Sequence, residues 1–199
     1  MDDGRRVFLA RHGETEWSAA GKHTGRTDVP LTTEGKRRAK ELGALLRGRG
    51  FDLVLSSPLS RALDTCRIAG FGDCAEVDDR MVEWDYGVFE GRSTEEIRSS
   101  EPGWSVWTSE IREGESVHEV GRRADDVIDR ARDASGDVLL FAHGHYLRIL
   151  TARWLGLAPA CGRLFRLDTA TLSVLGYERE SPVILKWNLS LPSGGPGPP

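Results

Sequence analysis

Two histidines, two arginines and one of three carboxylates stand where chemistry on a phosphate ester could be done. Arg11-His12-Gly13 follows a β-branched and aromatic run, Arg5 to Ala10 (RRVFLA), of the kind that forms a buried strand ending at a loop. A histidine there can face a cleft while the glycine lets the backbone pass close to a ligand. A neutral imidazole attacks phosphorus, and adjacent guanidinium groups hold the phosphoryl oxygens and balance their charge. A lone histidine more often just bonds a neighbouring turn; the Arg and Gly beside His12 favour a nucleophile. Ser57-Pro58-Leu59-Ser60-Arg61-Ala62 puts Arg61 in the first turn of a helix, where unpaired N–H groups already attract anions, although a surface arginine is the plainer alternative.

His143-Gly144-His145 ends a strongly apolar strand and opens a helix, so an imidazole there could donate to a phosphoryl oxygen, with Gly144 permitting close approach. His143, His145 and His12 would also supply three nitrogen ligands. Adjacent arginines would repel a dication, and no HExxH-like pattern accompanies them, so no metal is expected. Glu83, Asp85 and Glu90 share the aromatic loop VEWDYGVFEG. Any of them could hold a proton for a leaving alkoxide, and spacing alone does not choose. Two His, at least two Arg and one acid are what metal-free phosphoryl transfer through a phosphohistidine requires.

The elements that must position these groups alternate along the chain. After the first strand and a loop to about Pro30, Thr32 or Thr33 caps an amphipathic helix with Ala39, Leu42, Leu45 and Leu46 on one face. Asp52 to Ser56 forms a second strand, a helix runs from Ser57-Pro58 to about Ala69, and a short strand covers Ala75 to Val77. Ser93 begins a short helix. A long one runs from Ser116 to about Ser135 with Val117, Val120, Ala124, Val127, Ile128 and Ala131 at helical spacing. Asp137 to Ala142 is a strand, YLRILTARWLG a helix, and Thr171 to Tyr177 and Val183 to Trp187 are strands. This order implies an α/β fold, a three-layer α/β/α sandwich around a mostly parallel sheet, with functional groups beyond the carboxyl ends of the strands. One domain is expected over residues 1–191, with PSGGPGPP, residues 192–199, a disordered tail.

At 199 residues, 39% hydrophobic, the chain suits one domain. A net charge of −4 argues against a nucleic-acid partner. No apolar run approaches the roughly 20 residues a bilayer requires, and the N-terminus lacks a signal-peptide pattern, so a cytoplasmic protein without membrane partners is expected. Cys66, Cys74 and Cys161 form neither a disulfide framework nor a zinc pattern and are expected as small buried apolar side chains. Of 27 basic residues 23 are Arg, the side chain whose planar fork fits phosphate. Whether the chain forms a homo-oligomer is not legible.

The motifs occur together in a familiar order. Leu9 to Trp17 (LARHGETEW) resembles the RHG motif of the histidine phosphatase superfamily, which includes cofactor-dependent phosphoglycerate mutases and fructose-2,6-bisphosphatases. Thr24 to Thr32 (TGRTDVPLT), Ser56 to Ala62 (SSPLSRA), Glu83 to Gly87 and Phe141 to His145 (FAHGH) extend the resemblance over about residues 5 to 178. The resemblance implies a phosphoglycerate mutase-like fold and no metal or other cofactor. It makes His12 the phosphorylated nucleophile, with Arg11, Arg61 and His143 holding the phosphoryl group. Glu83 becomes the proton donor to the leaving oxygen and later the base for water. Thr24, Gly25, Tyr86 and Gly144 match substrate-pocket positions. EWDYGVFEG and FAHGHYLR look most like a branch of sugar bisphosphatases and acid phosphatases, and Arg148 would then serve a distal phosphate. Ser18 stands where many mutases have Asn, which shortens the reach of a mutase-like contact to substrate.

The expected activity is hydrolysis of a small phosphorylated metabolite, a sugar or polyol phosphate or bisphosphate. A phosphoglycerate mutase must shield its phosphohistidine from water, and the compact span between Glu83 and His143 leaves less room for a covering insertion. A non-catalytic phospholigand-binding protein on the same fold is the third alternative. Trp104 and Trp107 either cap the cleft or pack beneath a loop, with packing slightly favoured. His23 and His118 reach a distal phosphate or sit at the surface.

Overall fold

Val7 and Leu9 of strand β1 (Val7–Arg11) pack into one hydrophobic core, and Phe8 and Ala10 into another. Side chains alternate across a strand, so an unbroken apolar run demands cover on both faces. The computed structural model describes residues 5–191 and supplies that cover with helices; the stretch 192–199, expected as a tail, lies outside the described residues. Besides β1, the sheet contains β2 (Leu53–Ser56), β3 (Glu76–Val77), β4 (Val138–Ala142), β5 (Leu172–Glu178) and β6 (Ser181–Leu189), in the order β3-β2-β4-β1-β5-β6. β3, β2, β4 and β1 pair in parallel; β5 runs antiparallel to β1 and β6. The mostly parallel α/β sheet is the expected one.

After the one-turn helix α1 (Glu16–Ala19) come α2 (Thr33–Leu46) and α3 (Ser60–Ile68), which bury Ala39, Leu42, Leu46 and Cys66; Leu42, Leu46 and Cys66 pack with Phe8, Val54 and Phe141 on one face of the sheet. The short helix α4 (Thr94–Ser100) precedes α5 (Val117–Asp133) and α6 (Gly144–Trp154). These two pack Val120, Val127, Leu147 and Leu150 with Val7, Leu9, Leu140 and the aromatic loop residues on the other face. Caps follow the sequence signals: Thr32 accepts the Gly35 amide, and Ser93 with Glu96 and Ser116 with Glu119 form capping boxes.

The larger differences are the start of one helix, the extent of one strand, one added helix and the burial of two cysteines. α3 starts at Ser60, because Ser57 N–H still extends the sheet by donating to Phe141 O (2.9 Å) and Pro58 follows outside the helix. The Asp28 carboxylate then accepts both Ser60 N–H (2.9 Å) and its hydroxyl (2.8 Å), tying the loop after β1 to the helix start. α1 interrupts that same loop, and β6 runs longer than Val183 to Trp187. Of the cysteines only Cys66 is buried; Cys74 is exposed in the turn after α3 with its thiol on Phe71 O, and Cys161 is half-buried. Burial pushes the Cys66 thiol up to about 12.

Candidate active site

β1 and β4 are neighbours, with Arg11 paired to Ala142, so the next residue of each strand, His12 and His143, emerges at the same carboxyl end of the sheet. Their rings lie 5.2 Å apart, centre to centre. Behind the loop, a Cβ on Gly13 would sit 2.5 Å from Gly35 O, so the start of α2 approaches the loop after His12 as only glycine permits.

His12 Nδ1 lies 2.6 Å from Gly13 O. A carbonyl can only accept, so Nδ1 carries the proton and Nε2 keeps its lone pair. Burial first, then the Arg11 and Arg61 charges, hold His12 well below the usual imidazole range, which keeps it neutral. Arg11 is held by Leu167 O and backed by Gly144, whose Cβ would come within 3.1 Å of the guanidinium carbon; its Nε is buried without a hydrogen-bond partner. Arg61, fully buried on α3, donates to Thr27 O (2.9 Å), Thr24 O (3.2 Å), Gly25 O (2.8 Å) and, from Nε, to His143 Nδ1 (3.2 Å). His143 therefore accepts at Nδ1 and donates from Nε2 to Ser57 Oγ (2.7 Å). Desolvation and Arg61 hold it well below the imidazole range.

Of the three loop acids, Glu83 alone lines the cleft. Its Oε1 accepts Trp84 N–H (2.9 Å) and Tyr146 N–H (2.8 Å), and its Oε2 accepts His145 N–H (3.0 Å). The last two amides belong to the first turn of α6, whose own N-cap, His143, makes no side-chain cap, so Glu83 caps that helix from a distant loop. Oε2 keeps a lone pair for a proton. Asp85 is engaged with Arg26 and the Gly87 amide, and Glu90 with the Gly25 and Thr27 amides.

The cleft encloses about 360 Å³ and is lined by Arg11, His12, Ser18, Thr24, Glu83, Tyr86, Gly144 and Arg148 among others. Arg61, His143 and Gly25 stand behind this lining; Gly25 O receives Arg61, and a Cβ on Gly25 would meet Trp84 O at 2.5 Å. The Ser18 hydroxyl is occupied by the Thr15 backbone, N–H at 2.9 Å and O at 3.0 Å. Arg148 lies over the Trp107 ring (4.6 Å) and donates to Gly162 O and Arg163 O.

An aromatic wall that sequence reasoning left undecided closes one side. His23, Trp104, Trp107 and His145 all line the cleft, with His23 against Tyr86 (4.8 Å) and Trp104 (5.3 Å), and His145 against Trp107 (5.0 Å). Tyr86 Oη and His145 Nδ1 are 2.6 Å apart, so His145 turns to Tyr86 while His143 turns to Ser57 and Arg61. Among the described residues no three His, Cys, Asp or Glu side chains gather as metal ligands. Desolvation lowers His23 to about 4, and the Tyr86 phenol is raised well above its usual value by burial. Trp104 is both packed and lining, whereas His118 is exposed on α5. The second histidine of HGH was the available signal for His145; nothing in the spacing marked Ser57 as the partner of His143.

A buried, neutral imidazole with a free ring nitrogen, beside the Arg11 and Arg61 charges beyond the ends of parallel strands and in a cleft that also bears a carboxylate, is an arrangement that can transfer a phosphoryl group. The chain belongs to the histidine phosphatase superfamily (branch 1), whose family model matches residues 7–190. It is 44% identical over 177 residues to an acid phosphatase of Mycobacterium tuberculosis, covering 87% of each chain. It is 36% identical to a probable phosphoglycerate mutase GpmB of Yersinia enterocolitica (88% of this chain, 86% of the relative). It is 33% identical to the sedoheptulose 1,7-bisphosphatase of Saccharomyces cerevisiae (76% and 68%). The solved structure of the open reading frame Rv3214 of Mycobacterium tuberculosis superposes with a TM-score of 0.88 at 40% identity, covering 94% of this chain and 98% of that one. No helix among the described residues is long and apolar enough to cross a membrane.

Proposed function

We propose that the chain, a phosphoric monoester hydrolase by its family and phosphatase relatives, cleaves a small phosphorylated metabolite without a metal, through a phosphohistidine on His12. The observation that carries this is the state of His12: neutral, with Nδ1 bound to Gly13 O, Nε2 left free, and the Arg11 and Arg61 charges close by. Nε2 attacks phosphorus, the bond from phosphorus to the ester oxygen breaks, and that oxygen takes a proton from Glu83. Water then attacks the phosphohistidine, the P–N bond breaks, Glu83 takes the proton of the water, and inorganic phosphate leaves. Arg11 and Arg61 counter the charge on the phosphoryl oxygens. The buried Arg11 Nε makes no hydrogen bond within the protein, and a phosphoryl oxygen would give it an acceptor.

The substrate class we infer is a sugar or polyol phosphate or bisphosphate. Lys22, Arg98 and Arg148 add positive charge to the cleft lining beyond that around His12, and Thr24, Tyr86, Thr94 and Ser105 add hydroxyls. The yeast relative is named for a sugar bisphosphate. The test is phosphate release from a panel of mono- and bisphosphorylated sugars, polyols and glycerates in EDTA, with His12→Ala as control. Turnover that survives chelation and vanishes in His12→Ala is expected. Loss in EDTA alone refutes metal independence, and interconversion of phosphoglycerates faster than phosphate release makes the chain a mutase.

A further inference from the structure

We propose that Arg123, with Glu115, is a positioning residue that holds Glu83 in place for proton transfer, an inference that rests on Glu83 being the proton donor. Arg123 lies on α5, and its side chain is only 13% exposed. Its five N–H groups are all used. Nη1 donates to Arg80 O (2.8 Å) and Val82 O (2.6 Å), Nη2 to Glu83 O (3.1 Å) and Glu115 Oε2 (3.0 Å), and Nε to Glu115 Oε1 (3.0 Å). Three of the five hold the backbone of the segment that ends at Glu83.

Glu115 completes the clamp. Besides its carboxylate bonds to Arg123, its Oε2 accepts Asp85 N–H (3.0 Å) and its carbonyl accepts the Trp84 indole N–H (2.7 Å). The chain is thus held just before, at and just after Glu83. On the other side the guanidinium lies over the ring of Tyr146 (4.9 Å), and Tyr146 is the residue whose amide holds Glu83 Oε1. Both supports of the carboxylate, its own backbone and the first turn of α6, therefore meet at one planar cation.

A buried ion pair is weak evidence for stability, because desolvation roughly cancels its attraction; its best-attested use is to specify one geometry. Only a planar fork can fill five positions in fixed directions, which a lysine cannot. Misplacing a reacting group by about 1 Å costs about a hundredfold in rate, and general acid assistance matters most where the leaving oxygen most needs a proton.

The test uses Arg123→Gln, Arg123→Lys and Glu115→Gln in the full chain, with kcat/KM measured over alkyl phosphates and over p-nitrophenyl phosphate, and with inhibition by inorganic phosphate as the measure of binding. For alkyl esters kcat/KM, which reports only the steps up to departure of the leaving group, should fall about ten- to a hundredfold in Arg123→Gln with the inhibition constant of inorganic phosphate within about twofold, while kcat/KM for p-nitrophenyl phosphate, whose leaving group needs no proton, should fall less than about threefold. Arg123→Lys should recover little of the loss, and Arg123→Gln added to Glu83→Gln should cost nothing more. If Arg123→Gln does not fold, Arg123→Lys and Glu115→Gln carry the same comparison. An equal fall in kcat/KM across leaving groups, or a loss matched by weaker phosphate inhibition, overturns the assignment. If Glu83→Gln shows steep leaving-group dependence and the clamp variants do not, only the clamp is wrong. If Glu83→Gln shows none, the role of Glu83 fails and the clamp with it.

Discussion

Arg61 and His143 are bonded to each other, Nε–H to Nδ1 at 3.2 Å, inside a protein interior where neither touches bulk water. The bond fixes the tautomer of His143 and directs its Nε2–H to Ser57 Oγ (2.7 Å), so the two side chains behind the cleft hold each other in one arrangement. Four of the five Arg61 N–H groups serve the protein itself, three of them on carbonyls of the Thr24 to Thr27 loop.

Arg61→Ala should therefore damage both folding and catalysis. Three carbonyls and one imidazole lose a partner, which should cost about 2–4 kcal/mol in urea unfolding. Loss of a donor to the phosphoryl group should lower kcat/KM by about a hundredfold or more in the folded fraction. A folded Arg61→Ala enzyme within tenfold of the parent would contradict its role.

Gly144→Ala separates activity from stability. The new methyl would press on the Arg11 guanidinium at 3.1–3.3 Å, forcing a shift of a few tenths of an ångström. Gly144 is the first residue of α6 and has no positive φ, so alanine there adds no backbone strain, and the crowding falls on the flexible Arg11 side chain. Expected is a melting temperature close to that of the parent with kcat/KM lowered about tenfold; unchanged kinetics would mean that Arg11 does not act on the phosphoryl group.

Acid should weaken the fold from pH 6.5 downwards. His23 titrates near 4 when folded and near 6.5 when unfolded, so between these values the unfolded chain binds the extra proton. Stability is then present above about 6.5 and is lost as pH falls towards 4, by about 1.4 kcal/mol per pH unit for His23 alone. His12, His143 and His145 are lowered too and add in the same direction. Denaturant unfolding between pH 7 and 5 checks this, and His23→Gln should flatten the slope. A slope of opposite sign would mean these rings are protonated in the fold. The acid limb of kcat/KM that reports His12 should likewise lie well below 6.5.

Much of this was legible from residue order. Apolar strands in a mostly parallel sheet, each ending at histidine, put His12 and His143 at the same edge; that the two strands are neighbours, which brings the rings together, came from the structure. Its first-turn position alone left Arg61 open to being a surface arginine, and the family resemblance singled it out; in the structure it is fully buried beside His143. Glu83 was chosen over Asp85 and Glu90 by family resemblance, and the physical discriminant, its bonds to the α6 amides, comes from residues some sixty positions away. The role of Trp104 and Trp107 was left undecided for a similar reason: they sit in irregular chain held by bonds such as Arg98 Nε–H to Trp104 O (2.8 Å) and Ser105 N–H to Ser109 Oγ (3.0 Å). Periodicity has nothing to say there. Cys74 was misjudged because a small apolar side chain just past a helix end faces whichever way the turn sends it.

The most direct measurement is to mix enzyme with a turning-over phosphomonoester, quench within milliseconds in alkali, and map the phosphorylated residue by mass spectrometry. Expected is an acid-labile, alkali-stable phosphate on His12 that forms and decays at rates compatible with turnover and is missing from His12→Ala. Brisk turnover with no phosphate on His12 would contradict it.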